Sequence, residues 1–178
     1  MLSEVPIPNH QISELDILLF LLPRVGVALL VGTIVGVERE IRGKLAGIKT
    51  NALICVASAM FTALSLVMTD YSNTDLIHSG QRLDATRIVA QIVSGIGFIG
   101  AGAIFKSSSK VQGLTTAAVI WTVSALGILA GYGIYLSTIV ITVGLIVFLS
   151  FVAHFEKKYI RNLNQNQTES SGKNSTMD

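Results

Sequence analysis

The sequence predicts an all-α protein, a bundle of helices that cross a membrane. Of its 178 residues, 51% are hydrophobic and only 13% are charged, whereas an average soluble domain has about 25% charged residues. Apolar stretches of roughly 20 residues, the length that a helix needs to cross a bilayer, alternate with short polar connections. Basic residues are concentrated in alternate connections, a pattern typical of multi-span membrane proteins.

Five apolar stretches cover residues 18–37, 51–68, 85–105, 114–131 and 134–153. They predict a transmembrane domain over residues 1–153 and a cytoplasmic tail over 154–178, and the polar composition of the tail predicts disorder from about residue 162. Ser13 has the residue type of a helix N-cap. Pro23 interrupts the first stretch, where it either starts the span or kinks one longer helix.

The positions of the basic residues predict the orientation in the membrane. Ten of the 13 lysines and arginines fall between the first and second stretches, between the third and fourth, or after the fifth. The positive-inside rule therefore predicts a multi-pass plasma-membrane protein with its N-terminus outside and its C-terminus in the cytoplasm, which agrees with an odd number of spans.

An internal repeat is suggested when the chain is aligned with itself at a shift of 66 residues. Lys44 then matches Lys110 and Ser58 matches Ser124, among eight identities in the 25 positions from 36 to 60. Two parallel copies of a helix, loop and helix unit would produce this pattern. The alternative is that small residues recur by chance, as they do in any membrane helix.

The start of the third span carries Asp84, Arg87, Gln91 and Ser94 on one helical face. Since lipid does not solvate such groups, we expect this face to point into the bundle, with Asp84 paired to Arg87 and Gln91 bonded to another helix. Its role is either functional or limited to an ion pair at the helix end and one packing amide.

The same span continues with glycines at positions 95, 97, 100 and 102, which form a G-x-G-x-x-G sequence. A dinucleotide-binding turn would have to follow a strand and open a helix, so we predict no cofactor here. The glycines instead favour close helix contacts or a break in the helix. Gly32 with Gly36, and Gly127 with Gly131, have the spacing of tight helix contacts, either within the chain or with a partner.

The second span has a stripe of small polar residues, which are Asn51, Cys55, Ser58, Thr62 and Ser65. The fourth span adds Thr115, Thr116, Thr122 and Ser124. These stripes predict either a hydrated pocket or simple helix crossings, and we favour the crossings.

The connection between the first two spans mixes two acids with four bases. Glu38 and Glu40 are therefore candidates for contact with a cation or a partner, with local salt bridges to Arg42 and Lys44 as the alternative. Magnesium usually takes one or two carboxylates together with several waters. Glu38 and Asp84 are weak candidates for such a metal site, because they lie near opposite ends of the spans.

At these residues the chain resembles the MgtC/SapB family of membrane proteins. The matching motifs follow one another through residues 24–153, namely VERE at 37–40, AGIKT at 46–50, Asp84 with Arg87, QIVSGIGFIGAG at 91–102, GLTTAA at 113–118, and Trp121. The resemblance implies a bacterial inner-membrane protein linked to magnesium transport, to growth at low magnesium and to virulence. Some members are thought to contact other membrane proteins, including the proton-driven ATP synthase. Many also carry an ACT-like cytoplasmic domain after the last span, where this chain has a short polar tail.

We therefore predict a membrane protein of magnesium homeostasis that is not an enzyme and that binds a polar ligand or another membrane protein. The alternatives are a transporter or channel for a cation, and a regulator of a complex such as the ATP synthase. Its expected partners are the lipid bilayer, a second copy of itself or another membrane protein, but not nucleic acid. The candidate binding residues are Glu38, Arg39, Glu40, Lys49, Thr50, Asn51, Asp84, Arg87, Gln91, Gly95, Gly97, Gly100, Gly102, Thr115, Thr116 and Trp121.

Overall fold

A computed structural model describes the backbone of residues 13–75, 84–107 and 110–174, and it describes the side chains of these residues except 70–75 and 157–174. The predicted helical membrane fold is confirmed. In the described residues the helices are α1 (Glu14–Ile41), α2 (Ile48–Asp75), α3 (Ala85–Gly102), α4 (Leu114–Gly131) and α5 (Tyr135–Asn174). All five are long and apolar enough to cross a membrane.

Helix α1 is one continuous helix through Pro23. Ser13 is its N-cap, and the Ser13 side chain accepts a hydrogen bond from the backbone N–H of Leu15. The first span therefore begins well before the proline, and Pro23 lies inside the helix instead of opening it.

A short β-hairpin joins α3 to α4, where the sequence predicts only a polar connection. Its strands are β1 (Phe105–Ser107) and β2 (Lys110–Gln112), which pair antiparallel with Lys106 opposite Val111. Gly113 follows with a φ of +89°, and a Cβ atom at this position would overlap the backbone carbonyl of Ala103. A glycine is thus required for the turn that leads into α4.

The chain divides into two compact units between Thr142 and Val143, within α5. In the first unit, α1 packs against α2 and α4, and α3 packs against the same two helices. The fully buried side chains at its centre come from several helices and include Ala28, Val35, Ala59, Val123 and Ala130.

The second unit, Val143–Asp178, continues α5, whose apolar part ends at Glu156. Helical backbone extends to Asn174, although the sequence predicts disorder from about residue 162. An α-helix satisfies its backbone hydrogen bonds within itself, so polar residues can continue a helix that an apolar span has already started.

Glycines bring the helices of the first unit into close contact. A Cβ atom on Gly32 would lie 2.7 Å from the carbonyl oxygen of Asn51, and one on Gly36 would lie 2.5 Å from the Cα atom of Ile48. Gly127 and Gly131 pack in the same way against the backbone of α2. The two glycine pairs therefore serve packing within the chain, and the interpretation in which they face lipid and bind a partner is wrong.

Candidate functional site

The polar stripe of α2 is buried along its whole length, from Asn51 to Ser65. The Ser58 and Ser124 hydroxyl groups are hydrogen-bonded at 2.8 Å between α2 and α4. The Thr62 hydroxyl donates to the carbonyl oxygen of Ser58 within its own helix at 2.8 Å. These side chains are thus satisfied at a tight helix contact, which is the crossing that the sequence favoured over a hydrated pocket.

Several predicted site residues meet where α1 ends and where α2 and α4 begin. We call Glu38, Arg39, Asn51 and Thr116 the Arg39 cluster, because the arginine links two of these helices. Arg39 is 2% exposed, and its Nη2 donates a hydrogen bond of 3.1 Å to the Thr116 hydroxyl oxygen on α4. Its Nε–H is buried and has no hydrogen-bond partner among the described residues.

Asn51 is fully buried in the first turn region of α2. Its Nδ2 donates to the carbonyl oxygens of Ala46 at 2.9 Å and Gly47 at 2.8 Å, so the amide holds the connection against the start of the helix. The Oδ1 atom is left buried and without a partner in the described structure.

The two glutamates at the end of α1, Glu38 and Glu40, have different surroundings. Glu38 is buried, and its Oε1 forms an ion pair with Nε of Arg42, as the local alternative predicted, while its Oε2 has no described partner. Glu40 accepts a hydrogen bond at 2.9 Å from the backbone N–H of Ile48 through Oε2. The Glu40 carboxylate therefore caps α2, and the predicted local salt bridge to Lys44 is absent from the described side chains.

The Arg39 cluster thus leaves a carboxylate oxygen, an amide oxygen and a guanidinium N–H buried without partners. Buried polar groups are normally hydrogen-bonded, and leaving one unpaired costs about 1–3 kcal/mol. Each of these three atoms is therefore a position at which a water or a polar group of a ligand could bond. It contains opposite charges, which suits neither a bare cation nor a bare anion. In the described residues no group of three or more His, Cys, Asp or Glu is placed to hold a metal ion.

The polar face of α3 does not point into the bundle, contrary to the prediction. Asp84, Arg87, Gln91 and Ser94 are all exposed. The reason is that α3 packs through another face, on which only Ile96 and Gly100 are buried.

The predicted ion pair of Asp84 with Arg87 is not formed within the described residues. Asp84 is instead the N-cap of α3, and its Oδ1 accepts hydrogen bonds from the Thr86 hydroxyl at 2.7 Å and the Thr86 backbone N–H at 2.9 Å. These bonds from Thr86 hold the pKa of the exposed Asp84 carboxyl below its usual range.

The glycines of α3 lie mostly on exposed faces. Cβ atoms on Gly95, Gly97 and Gly102 would meet no described atom within 4 Å, whereas one on Gly100 would lie 3.7 Å from the carbonyl oxygen of Ala117. Gly100 alone in this series is thus a contact within the described fold, and α3 is a continuous helix to Gly102 without the break that was considered.

A groove of about 510 Å³ lies between α2 and α3. Its walls are largely apolar and include Leu53, Phe61, Ile92 and Ile96, with Gln91 among the few polar lining residues. Gln91 therefore borders an apolar groove and makes no hydrogen bond to the rest of the described chain.

The remaining predicted site residues lie outside the cluster. Lys49, Thr50 and Thr115 are exposed in the first turns of α2 and α4, and Trp121 is 53% exposed on α4. The structure thus separates the candidates into a buried cluster at one end of the bundle and an exposed face on α3.

Arg24 was not predicted as a site residue, although it is 7% exposed. Its Nε donates a hydrogen bond of 3.0 Å to the carbonyl oxygen of Gly131, the last residue of α4, and its guanidinium carbon lies 3.4 Å from the centre of the Phe20 ring. The signal was an arginine inside an apolar stretch, because ionisable residues within spans normally have a specific partner.

Comparison with known proteins connects this arrangement to one family. The family model described as the MgtC family matches residues 25–158. Protein MgtC of Brucella abortus (strain 2308) is 43% identical over 119 residues, which are 67% of this chain and 45% of that protein. Protein SapB of Bacillus subtilis (strain 168) is 41% identical over 121 residues, 67% of this chain and 49% of that protein.

The name of a third relative refers to magnesium transport. The putative magnesium transporter YhiD of Escherichia coli (strain K12) is 44% identical over 104 residues, 57% of this chain and 46% of that protein. The chain spans about half the length of these curated relatives. No solved structure matches it.

Proposed function

Because the chain belongs to the MgtC family, we propose that it acts in magnesium homeostasis or low-magnesium adaptation by binding another membrane protein, not by catalysis or transport. The observation that carries this proposal is the exposed polar face of α3, with Arg87, Gln91 and Ser94 along one side of the helix. The name of one relative, the putative magnesium transporter YhiD, refers to magnesium.

The physical argument concerns the bilayer as a solvent. Gln91 lies two turns inside α3, where lipid offers no hydrogen-bond donor or acceptor to its amide. Gly95, one turn after Gln91 on nearly the same side of α3, has open space around it, which allows another helix to approach closely. A second membrane protein that packs on this face would satisfy the amide and bury the glycine surface.

A crosslinking experiment tests the proposal in cells grown at low magnesium. A photoreactive amino acid at Gln91 should give a crosslinked protein band, and the same group at Leu30, which is exposed on α1, should react with lipid and give none. Bands should be probed for membrane subunits of the ATP synthase, the partner class named for the regulator alternative. Absence of any protein adduct at position 91 in folded, functional protein would refute the proposal.

A second arm measures function. Gln91→Leu should abolish support of growth at low magnesium while the amount of protein in the membrane is unchanged. The matched control is Val93→Leu, since Val93 is also exposed on α3 but lies outside the polar face. Equal growth of the Gln91→Leu variant and the wild type would contradict docking through this face.

A polar ligand in the Arg39 cluster is a second candidate function. It is supported by the unpartnered buried atoms of Glu38, Arg39 and Asn51, to which a hydrated magnesium ion could present its waters. Magnesium should then raise the melting temperature of the wild type more than choline does at equal ionic strength. Glu38→Gln should remove the difference, and Asp16→Asn, at an exposed site in α1, should keep it. A melting temperature that responds equally to the two salts would remove this candidate.

Cation transport has less support from the described residues. The groove between α2 and α3 is largely apolar, and the residues that line it include no carboxylate to bind a magnesium ion. Magnesium flux into liposomes that contain only this protein, above the flux into empty vesicles, would restore the transporter alternative.

A further inference from the structure

The α1–α2 connection and the α3–α4 hairpin lie at the same end of the bundle. Arg39, near the end of α1, is hydrogen-bonded to Thr116, near the start of α4. Helix α2 runs beside α4 in the same direction, since Ser58 contacts Ser124 and Ala59 contacts Gly131 further along both helices. The segments that join these helices therefore form one continuous end surface.

Four lysines are exposed on this surface: Lys44 in the first connection, Lys49 in the first turn of α2, and Lys106 and Lys110 in the hairpin. The acids at the end of α1 do not neutralise their charge. Glu38 is buried in an ion pair with Arg42, and the carboxylate of Glu40 is bonded to the backbone of α2. In the part of the chain that the structure describes, no lysine forms an ion pair. We call these four residues the lysine surface.

Exposed apolar side chains are interspersed with the lysines. They are Ile41 at 80%, Leu45 at 63%, Phe105 at 43%, Val111 at 55% and Leu114 at 59% exposure. Lys106 and Val111 are opposite each other across the two strands, so an ammonium group and an apolar side chain project from the same face of the hairpin. A surface that is both cationic and apolar is suited to the boundary between lipid headgroups and acyl chains.

The helix termini contribute to the positive potential at this end. Helices α2 and α4 both begin here, and each has the partial positive charge of its N-terminus directed toward the surface. Glu40 offsets that charge on α2, whereas the N-cap of α4 is Gly113, which has no side chain to bond the first N–H groups. The positive potential at the N-terminus of α4 therefore adds to that of Lys106 and Lys110, which lie in the hairpin just before this helix.

We infer that the lysine surface binds the phosphate-bearing headgroups of anionic phospholipids. The lysine ammonium groups provide charge complementarity to the phosphates, and the interspersed apolar side chains would enter the acyl region beneath them. Basic residues beside a membrane surface each contribute a factor of about five in binding to anionic lipid. This inference concerns the lipid bound at one end of the bundle and does not depend on the protein partner proposed for α3.

The single tryptophan of the chain allows a direct test. Trp121 is 53% exposed and lies seven residues after the start of α4, about 10 Å along the helix from the hairpin. The full chain is reconstituted in bilayers in which either phosphatidylglycerol or phosphatidylcholine carries brominated acyl chains. Quenching of the Trp121 fluorescence then gives the ratio of the binding constants of the anionic and zwitterionic lipids beside the hairpin.

We expect the ratio to favour phosphatidylglycerol several-fold at low salt and to approach one at high potassium chloride concentration. Lys106→Gln and Lys110→Gln should each lower it by up to about fivefold, and the double Lys→Arg variant should keep it. Arg87→Gln, a cation at the other end of α3 from the hairpin, is the matched control and should leave it unchanged.

A ratio of one in the wild type, or a preference that salt does not weaken, would overturn the inference without any variant. A preference that persists in a correctly folded Lys106→Gln, Lys110→Gln double variant would also overturn it. Size-exclusion chromatography and circular dichroism establish the folding of each variant.

Discussion

The hydroxyl groups of Ser58 and Ser124 are hydrogen-bonded at 2.8 Å, although the two residues are 66 positions apart in the chain. The same shift of 66 residues relates the two halves of the suggested internal repeat. Two copies arranged about a rotation axis bring equivalent residues together only where that axis passes between them. The contact between α2 and α4 is thus where such an axis would lie, which supports the repeat.

The Ser58 to Ser124 bond should be measurable as a coupling between the two sites. In Ser58→Ala and Ser124→Ala, each single variant removes the bond, so the double variant should lose less stability than the sum of the two. We expect a coupling free energy of about 0.5–1 kcal/mol in unfolding from mixed micelles, as for other hydrogen bonds between membrane helices. Ser65→Ala with Ser124→Ala is the control pair, since Ser65 bonds within its own helix; a similar coupling there would contradict the interpretation.

The spans and the polar stripe of α2 could be predicted from the sequence, because hydropathy fixes which segments lie in lipid and helical periodicity fixes which residues share a face. It was harder to predict whether a given helix face contacts lipid or another helix. Lipid is as apolar as leucine, so an apolar pattern does not distinguish a helix surface in lipid from one packed on another helix. The polar face of α3 was predicted to be buried because lipid does not solvate polar groups, whereas α3 packs through its apolar residue Ile96 and through Gly100.

The hairpin and the role of Arg24 were also not predicted. The strands around Lys106 and Lys110 are three residues long, too short for an alternating pattern to stand out from a polar connection. Arg24 was not singled out from the sequence. Its partner, the carbonyl oxygen of Gly131, is 107 residues away in the chain. Every residue has a backbone carbonyl, so the sequence does not indicate which one accepts this bond.

Gly131 is predicted to tolerate no larger side chain. A Cβ atom there would lie 2.7 Å from the carbonyl oxygen of Ala59, so Gly131→Ala must separate α2 from α4 and should lower the free energy of unfolding by about 1–3 kcal/mol. The matched control is Gly97→Ala, where the added methyl meets no described atom within 4 Å and alanine favours the helix. Thermal unfolding in detergent provides the measurement, and equal melting temperatures for the two variants would contradict the packing shown here.

Replacing Arg24 tests whether a buried arginine stabilises the end of α4. Arg24→Leu removes the hydrogen bond to the Gly131 carbonyl and should cost about 1.5–3 kcal/mol, the range for hydrogen bonds to charged groups. Arg24→Lys keeps a charge but cannot reproduce the Nε–H geometry, so its loss should be intermediate. Chemical unfolding in mixed micelles would show this order, and a leucine variant as stable as the wild type would refute it.

Asp84 should make the start of α3 sensitive to acid. The hydrogen bonds from Thr86 lower the pKa of the Asp84 carboxyl in the folded state, so its stabilising effect is complete above the ordinary carboxyl pKa. That effect is lost as the pH falls through the lowered value, below about 4. Amide hydrogen exchange in the first turn of α3, corrected for the intrinsic pH dependence, should quicken in this range. Asp84→Asn retains an N-cap and should show no such step; a step in that variant would exclude Asp84 as its cause.

Thr116 and Thr115 form an adjacent matched pair for the Arg39 cluster. Thr116 is 4% exposed and accepts the hydrogen bond from Arg39, whereas the side chain of Thr115 is exposed. Thr116→Val leaves the buried guanidinium with a further unpaired N–H, which should cost about 1–3 kcal/mol, while Thr115→Val should stay within about 0.5 kcal/mol of the wild type. If the cluster also carries the function, growth at low magnesium should fall for Thr116→Val even at temperatures where the variant is fully folded. A variant that is destabilised but fully active when folded would assign Arg39 and Thr116 to the architecture of the bundle alone.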